Sequence, residues 1–218
     1  MSADTTLRPT TLDTASPAAL LAGEIAVEAA PRPLSVFDLM RIGVGPSSSH
    51  TVGPMRAGRA FARTLSARVA RRRDEGDDTP VTRVTIELYG SLGATGRGHA
   101  TDRATVMGLA GYVPETVPSS VCEGLMNEVE AAGSLTVDGV GPVPFAPATD
   151  IHFLPGRVLP YHVNGMTLTA YCPAGNEILR RTYYSVGGGF VMEDTGRPGA
   201  PSLWRSEERR VGKECRSR

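Results

Sequence analysis

Five hydrogen-bonding side chains in a row, Ser47-Ser48-Ser49-His50-Thr51, stand between Gly45-Pro46 and Gly53-Pro54. The Gly and Pro borders rule out one regular element running through the whole segment. Beyond it Met55, Ala57, Ala60, Phe61 and Leu65 recur at helical spacing, which predicts a helix from about Pro54 to Arg73. The polar run therefore falls where a loop becomes a helix. The first amides of a helix lack internal partners, and its dipole is positive at that end. Hydroxyls converging there suit a carboxylate or phosphate. A plain helix cap is the simpler reading, because Ser and Thr cap many helices. One residue suffices for a cap, whereas Ser47, Ser48, Ser49 and Thr51 supply four hydroxyls and His50 an imidazole. The excess favours a substrate or anion site.

A chain of 218 residues with 40% hydrophobic content and a mean hydropathy of −0.14 suits one globular domain with loose ends. Its formal net charge is zero, which argues against a nucleic-acid or membrane-surface partner. No apolar run approaches membrane-spanning length, and the N-terminus lacks a secretory pattern. The three cysteines, Cys122, Cys172 and Cys215, form neither a disulfide framework nor a CxxC pair, so a cytoplasmic location is expected.

Residues 1–33, rich in Ala, Thr and Pro, read as a flexible extension, with the ordered body starting near Ser35–Met40. The stretch from Val81 to Tyr89 alternates and is β-branched, predicting a strand. Gly90–Gly98 reads as a glycine-rich loop, followed by a helix from about Asp102 to Tyr112 and another over Ser119–Ala131. Further strands are expected at Leu135–Val137, Asp150–Phe153, Met166–Cys172, Glu177–Ser185 and Phe190–Met192. This mixture predicts an α+β domain, a sheet with helices mainly on one face. Residues 195–204 read as the start of a linker. The terminal RSEERRVGKECRSR, residues 205–218, reads as a translated sequencing adapter, and the natural chain is expected to continue past Trp204. Setting aside its six basic and three acidic residues leaves a body with three excess acidic charges.

The chain has four histidines, His50, His99, His152 and His162. Histidine exchanges protons near neutral pH, and loops on a rigid scaffold carry much of protein chemistry. His152 alternates with Ile151 and Phe153 and fits a structural role. His99 follows Thr95-Gly96-Arg97-Gly98, where glycines permit close approach to a ligand. Asp102 either orients that imidazole or caps the next helix. His162 precedes an Asn164-Gly165 turn. Tyr183-Tyr184-Ser185-Val186-Gly187-Gly188-Gly189 reads either as a bulged strand end with core tyrosines or as a glycine loop beside a ligand.

The segments SVFDLMRIGVGPSSSHTVGPM, YGSLGATGRGHATD, HVNGM and TYYSVGGGF occur here in the order seen in bacterial iron–sulfur L-serine dehydratases (L-serine ammonia-lyases). Residues 34–194 resemble the amino-terminal β domain of that family, in its single-chain form. The resemblance implies a fold similar to the allosteric substrate-binding domain of D-3-phosphoglycerate dehydrogenase. It also implies conversion of L-serine to pyruvate and ammonia, with a [4Fe–4S] cluster as Lewis acid and no pyridoxal phosphate. By motif position His99 is the base, His162, Ser185 and Tyr184 line the active site, and Ser47, Ser48, Ser49, His50 and Thr51 contact substrate or an anion. The family's cluster cysteines belong to a carboxy-terminal α domain, absent here, so the chain alone is expected to be inactive. A homodimer agrees with the resemblance. The competing expectations are a regulatory serine- or anion-binding domain and a stand-alone β subunit.

Overall fold

The computed structural model describes residues 47–194 and 201–204. The expected extension over 1–33, the body's expected start near Ser35–Met40, residues 195–200 of the expected linker and the tail over 205–218 lie outside the described residues.

Helix α1 spans Val52–Asp74, and its Ala57, Ala60, Phe61 and Leu65 are buried, as their spacing requires. Arg71, Arg72 and Arg73 occupy its last turn, where the dipole favours cations. Arg72 and Arg73 also reach forward to Asp77 and Asp78, so the acidic run closes the helix by ion pairing.

Strand β1, Arg83–Tyr89, lies inside a six-stranded sheet whose other members are β4 (Ile151–Leu154), β5 (Gly165–Tyr171), β6 (Glu177–Ser185), β7 (Val191–Asp194) and β8 (Ser202–Leu203). The spatial order is β4-β1-β5-β6-β7-β8, with β4 parallel to β1 and the other neighbours antiparallel. Val84, Ile86 and Leu88 stand opposite Ala170, Leu168 and Met166. These six side chains share the core with Ala57, Phe61 and Leu65 of α1. Thr85, Glu87, Thr167 and Thr169 alternate with them on the opposite face. The α+β class is thus as the sequence predicts, with a mostly antiparallel sheet.

Helix α3, Thr101–Leu109, crosses α1 closely. A methyl on Gly58 would land on the Thr105 carbonyl, and one on Gly108 would land on the Met55 carbonyl. Helix α4, Ser119–Ala132, ends at Gly133, whose φ of 62° permits the left-handed stop. A separate hairpin pairs β2, Ser134–Val137, with β3, Gly141–Pro144.

Four features differ from the sequence expectation, the first being that Ser202–Leu203, inside the expected linker, form the edge strand β8. The glycine-rich segment opens with a short helix, α2, over Gly90–Thr95 rather than a loop. Its glycines serve close packing: a Cβ at Gly93 would lie 2.8 Å from the Pro155 nitrogen, and one at Gly96 would strike the Leu92 carbonyl. Strand β3 carries Pro142 and Pro144, which a two-stranded ribbon tolerates because its outer edge needs no donors. A single turn, α5 (Pro147–Asp150), forms because buried Asp150 accepts from the Ala146 amide at 2.8 Å and from Arg83 Nε at 2.8 Å.

Candidate functional site

The serine run is already a helical turn. The Ser47 carbonyl accepts from the amides of His50 and Thr51 at 3.1 and 2.9 Å, and the Ser48 carbonyl from Gly53 at 3.0 Å. The amides of His50, Thr51 and Gly53 are therefore spent inside the chain rather than open to an anion. Thr51 does not cap α1 either, since its hydroxyl donates back to the Ser47 carbonyl at 2.7 Å. Ser48 is exposed. Ser47 Oγ and Ser49 Oγ turn instead toward His50 Nδ1, at 3.3 and 3.1 Å, and lie 3.2 Å from one another.

On the other side of the ring, His50 Nε2 lies 3.1 Å from Ser91 Oγ at the start of α2. Sequence reasoning passed over Ser91; its only signal was a hydroxyl inside the YGSLGATGRG motif. The His50 and His99 rings sit 4.9 Å apart between centroids, tilted by 39°. Burial is the main cause lowering the His50 pKa below the ordinary histidine value, and the neighbouring His99 charge lowers it further. The Ser91 backbone nearby acts in the opposite direction. A buried imidazole beside a second one resists taking a proton.

His99 Nδ1 lies 3.0 Å from the Thr95 carbonyl oxygen. A carbonyl only accepts, so in the neutral ring the proton sits on Nδ1 and Nε2 carries the lone pair. Asp102 does not orient this imidazole: it accepts from the Arg103 amide within its own helix. His162 is the mirror case. Its Nδ1 accepts from the Asn164 amide at 3.1 Å, which leaves the neutral ring's proton on Nε2.

The HVNGM and TYYSVGGG motifs meet where β5 begins and β6 ends. The Ser185 amide donates to the Asn164 carbonyl at 3.0 Å, and Asn164 Nδ2 to the Ser185 carbonyl at 3.2 Å. Ser185 is 1% exposed, and its Oγ, without a partner, lies over Gly53, where any side chain would collide with it. Tyr184 is buried and packs on Tyr161 at 5.2 Å between ring centroids, while Tyr183 belongs to the main core. The triple-glycine turn folds onto the start of α1. Arg56 Nη1 donates to the Gly189 carbonyl at 2.7 Å and its other nitrogen pairs with Glu115.

Further links join the motifs. The Ser91 amide donates to the Val163 carbonyl at 3.1 Å, and the Gly90 amide to the Arg157 carbonyl at 2.8 Å. All four sequence motifs thus gather around the first turn of α1. His152, on β4, is exposed and takes no part. Among the described residues no three His, Cys, Asp or Glu side chains group as metal ligands. Cys122 packs with the small cluster around Met55 and Cys172 with the main core, so these two do not converge on a common site.

His50, His99 and Ser91 thus lie together at one end of an α+β scaffold, beside the start of α1. Residues 35–196 match the serine dehydratase beta chain pattern, and the chain belongs to that family. It is 49% identical over 161 residues to an L-serine dehydratase of Streptomyces coelicolor, covering 74% of this chain and 34% of that one. It is 48% identical over 161 residues to an L-serine dehydratase of Mycobacterium tuberculosis, covering 74% and 33%. L-serine dehydratase TdcG of Escherichia coli is 45% identical over 162 residues, covering 74% and 34%. The chain spans about a third of the length of the curated relatives it matches.

Proposed function

We propose that this chain is the β-domain part of an L-serine ammonia-lyase, with His99 as the base that takes the substrate's α-proton. The observation that carries the assignment is the Thr95 carbonyl at 3.0 Å from His99 Nδ1, which leaves Nε2 free to accept. His162 offers the opposite group, an Nε2–H able to donate to a substrate oxygen. Loss of the α-proton and the β-hydroxyl from serine gives an enamine. Its imine tautomer takes up water to release pyruvate and ammonia. Ser185 and Tyr184 line the same end of the fold.

The [4Fe–4S] cluster implied by the resemblance does not fit the described residues, whose two cysteines pack in separate clusters. We assign its ligands, and activation of the leaving hydroxyl, to the remaining two thirds of the family polypeptide. Exposed Val158, Tyr161, Val163 and Val186 support a covering domain, because they are apolar and surround the His162 and Ser185 loops. Among the described residues no helix is long and apolar enough to cross a membrane, and a cytoplasmic site of action belongs to the same reading.

The test is to express anaerobically a full-length family polypeptide carrying this β domain and measure pyruvate formed from L-serine. His99→Ala is expected to lower kcat by about a hundredfold or more while leaving the cluster's absorption unchanged. Turnover within a few-fold of the unsubstituted enzyme would overturn the assignment.

A further inference from the structure

The segment between β4 and β5 carries His162 to the site, yet it belongs to no helix or strand. Its two ends are fastened to consecutive amides of α2. The Gly90 amide donates to the Arg157 carbonyl at 2.8 Å, and the Ser91 amide to the Val163 carbonyl at 3.1 Å. First-turn amides have no partner inside their own helix, so the segment supplies one for each. Residues 157–163 therefore leave and return at one place, as an Ω-shaped strap. Among the described residues, 158–162 make no backbone–backbone hydrogen bond. Side chains must decide where the middle of the strap lies.

Three alternate side chains do so. The sheet face turned away from α1 carries Tyr89, Gly165 and Tyr184 side by side on β1, β5 and β6. Gly165 pairs with Tyr184, and Tyr89 follows Leu88, the partner of Met166. Arg157 lies over the Tyr89 ring, its guanidinium carbon 5.6 Å from the centroid. Tyr161 lies against Tyr184. Between them Leu159 fills the space over Gly165: a Cβ there would lie 2.8, 3.2 and 3.3 Å from Leu159 Cδ1, Cγ and Cβ. The period of two is that of an extended chain, and it turns Val158 outward, 62% exposed. The three contacts differ in what they can fix. Arg157 and Tyr161 rest on flat rings, along which they can slide, and Tyr161 is 46% exposed. Leu159 enters a recess that exists because Gly165 has no side chain and its neighbours Tyr89 and Tyr184 are large and buried.

We propose that Leu159 is the positioning residue of His162: seated over Gly165, it holds the strap against β5, so that the His162 Nε2–H stands where a substrate oxygen can reach it. The Asn164 amide, donating to His162 Nδ1 at 3.1 Å, turns the ring, and Leu159 sets where the ring stands. His162 is the group that meets substrate, and Leu159 acts through it. The substrate's part rests on the function proposed above, whereas the seating of the strap does not.

Two substitutions unseat the strap from opposite sides. Leu159→Ala removes the plug, and Gly165→Ala fills the recess; Gly165 has no left-handed backbone, so the second adds no strain of its own. Leu159→Met keeps the plug. In the present chain, solvent exchange of the Asn164 amide reads the seating, because that amide is bonded to His162. Both alanine variants are expected to speed it about tenfold or more, and Leu159→Met to leave it within about threefold. Parent-like exchange in both alanine variants would overturn the proposal. In a full-length family polypeptide carrying this β domain, Leu159→Ala is expected to lower kcat about tenfold with the cluster's absorption unchanged. In a His162→Ala background the same substitution is expected to cost less than about twofold more. A tenfold loss in both backgrounds would show that Leu159 does not act through His162 and would overturn the proposal. If the unsubstituted polypeptide formed no pyruvate from serine, the function proposed above would fall, while the exchange measurement would still decide the seating.

Discussion

Replacing Gly108 by alanine should destabilise the protein although alanine is the better helix former. Within a helix interior the change is worth about 1 kcal/mol in favour of alanine. At Gly108, however, the new methyl would land on the Met55 carbonyl oxygen, 2.8 Å from its carbon and 2.9 Å from the Arg59 nitrogen. These are backbone atoms of α1, so no side chain can swing aside, and the helices must part by roughly 1 Å to restore contact distance. Such overpacking costs about 1–3 kcal/mol in general and about 3–5 kcal/mol where the backbone itself must move, which after the propensity gain leaves a net loss of about 2–4 kcal/mol. At about 2–4 °C per kcal/mol for a chain of this size, Tm should fall by about 5–15 °C. Gly124→Ala in α4 is the control. Its methyl meets only the flexible Glu128 carboxylate at 3.4 Å, so propensity should prevail and raise Tm by about 2–4 °C. Thermal unfolding followed by far-UV circular dichroism reads both. A Gly108→Ala variant as stable as the parent would refute the close α1–α3 crossing. That crossing also sets the site, because α1 follows His50 and α3 follows His99. Hence Gly108→Ala should alter the separation of the two imidazoles as well.

Arg56→Ala should release the triple-glycine turn, since Arg56 joins the Gly189 carbonyl to Glu115 across the start of α1. A loss of about 1.5–3 kcal/mol in chemical denaturation is expected, with faster amide exchange at Gly187–Phe190; unchanged exchange there would contradict the clamp. His50 predicts a pH dependence. Its folded pKa lies below the ordinary 6.5, chiefly through burial and then through His99, so the unfolded chain binds the proton more readily. The cost is absent above about pH 6.5 and grows as pH falls through the interval between the two values. The parent should therefore lose more Tm between pH 7.5 and 5.5 than His50→Gln does, and equal losses would show that His50 titrates as in water.

Much of the fold is legible in the sequence because its signals are periodic. The apolar spacing of α1 and the alternation of β1 both describe faces that must be buried, and both elements form where expected. The glycine-rich segment after Tyr89 misleads for a physical reason. Glycine reads as flexibility in one dimension, but Gly93 and Gly96 are small because backbone passes against them. Likewise β3 is hidden by two prolines whose missing donors cost nothing on an outer edge.

The candidate site shows the same division between composition and direction. The residue types alone single out Ser47–Thr51 and His99 as candidates for chemistry. Which atoms donate is not visible there, because it depends on partners that only the folded backbone brings into reach: Ser91 Oγ for His50, and the Thr95 carbonyl for His99. A carbonyl four residues before His99 fixes that imidazole as an acceptor, and an amide two residues after His162 fixes the other as a donor. The serine run reads as an anion cradle only while its amides are assumed free. Where the turn winds into a helix the amides of His50, Thr51 and Gly53 are consumed, and Ser47 and Ser49 turn their hydroxyls onto His50 instead of outward.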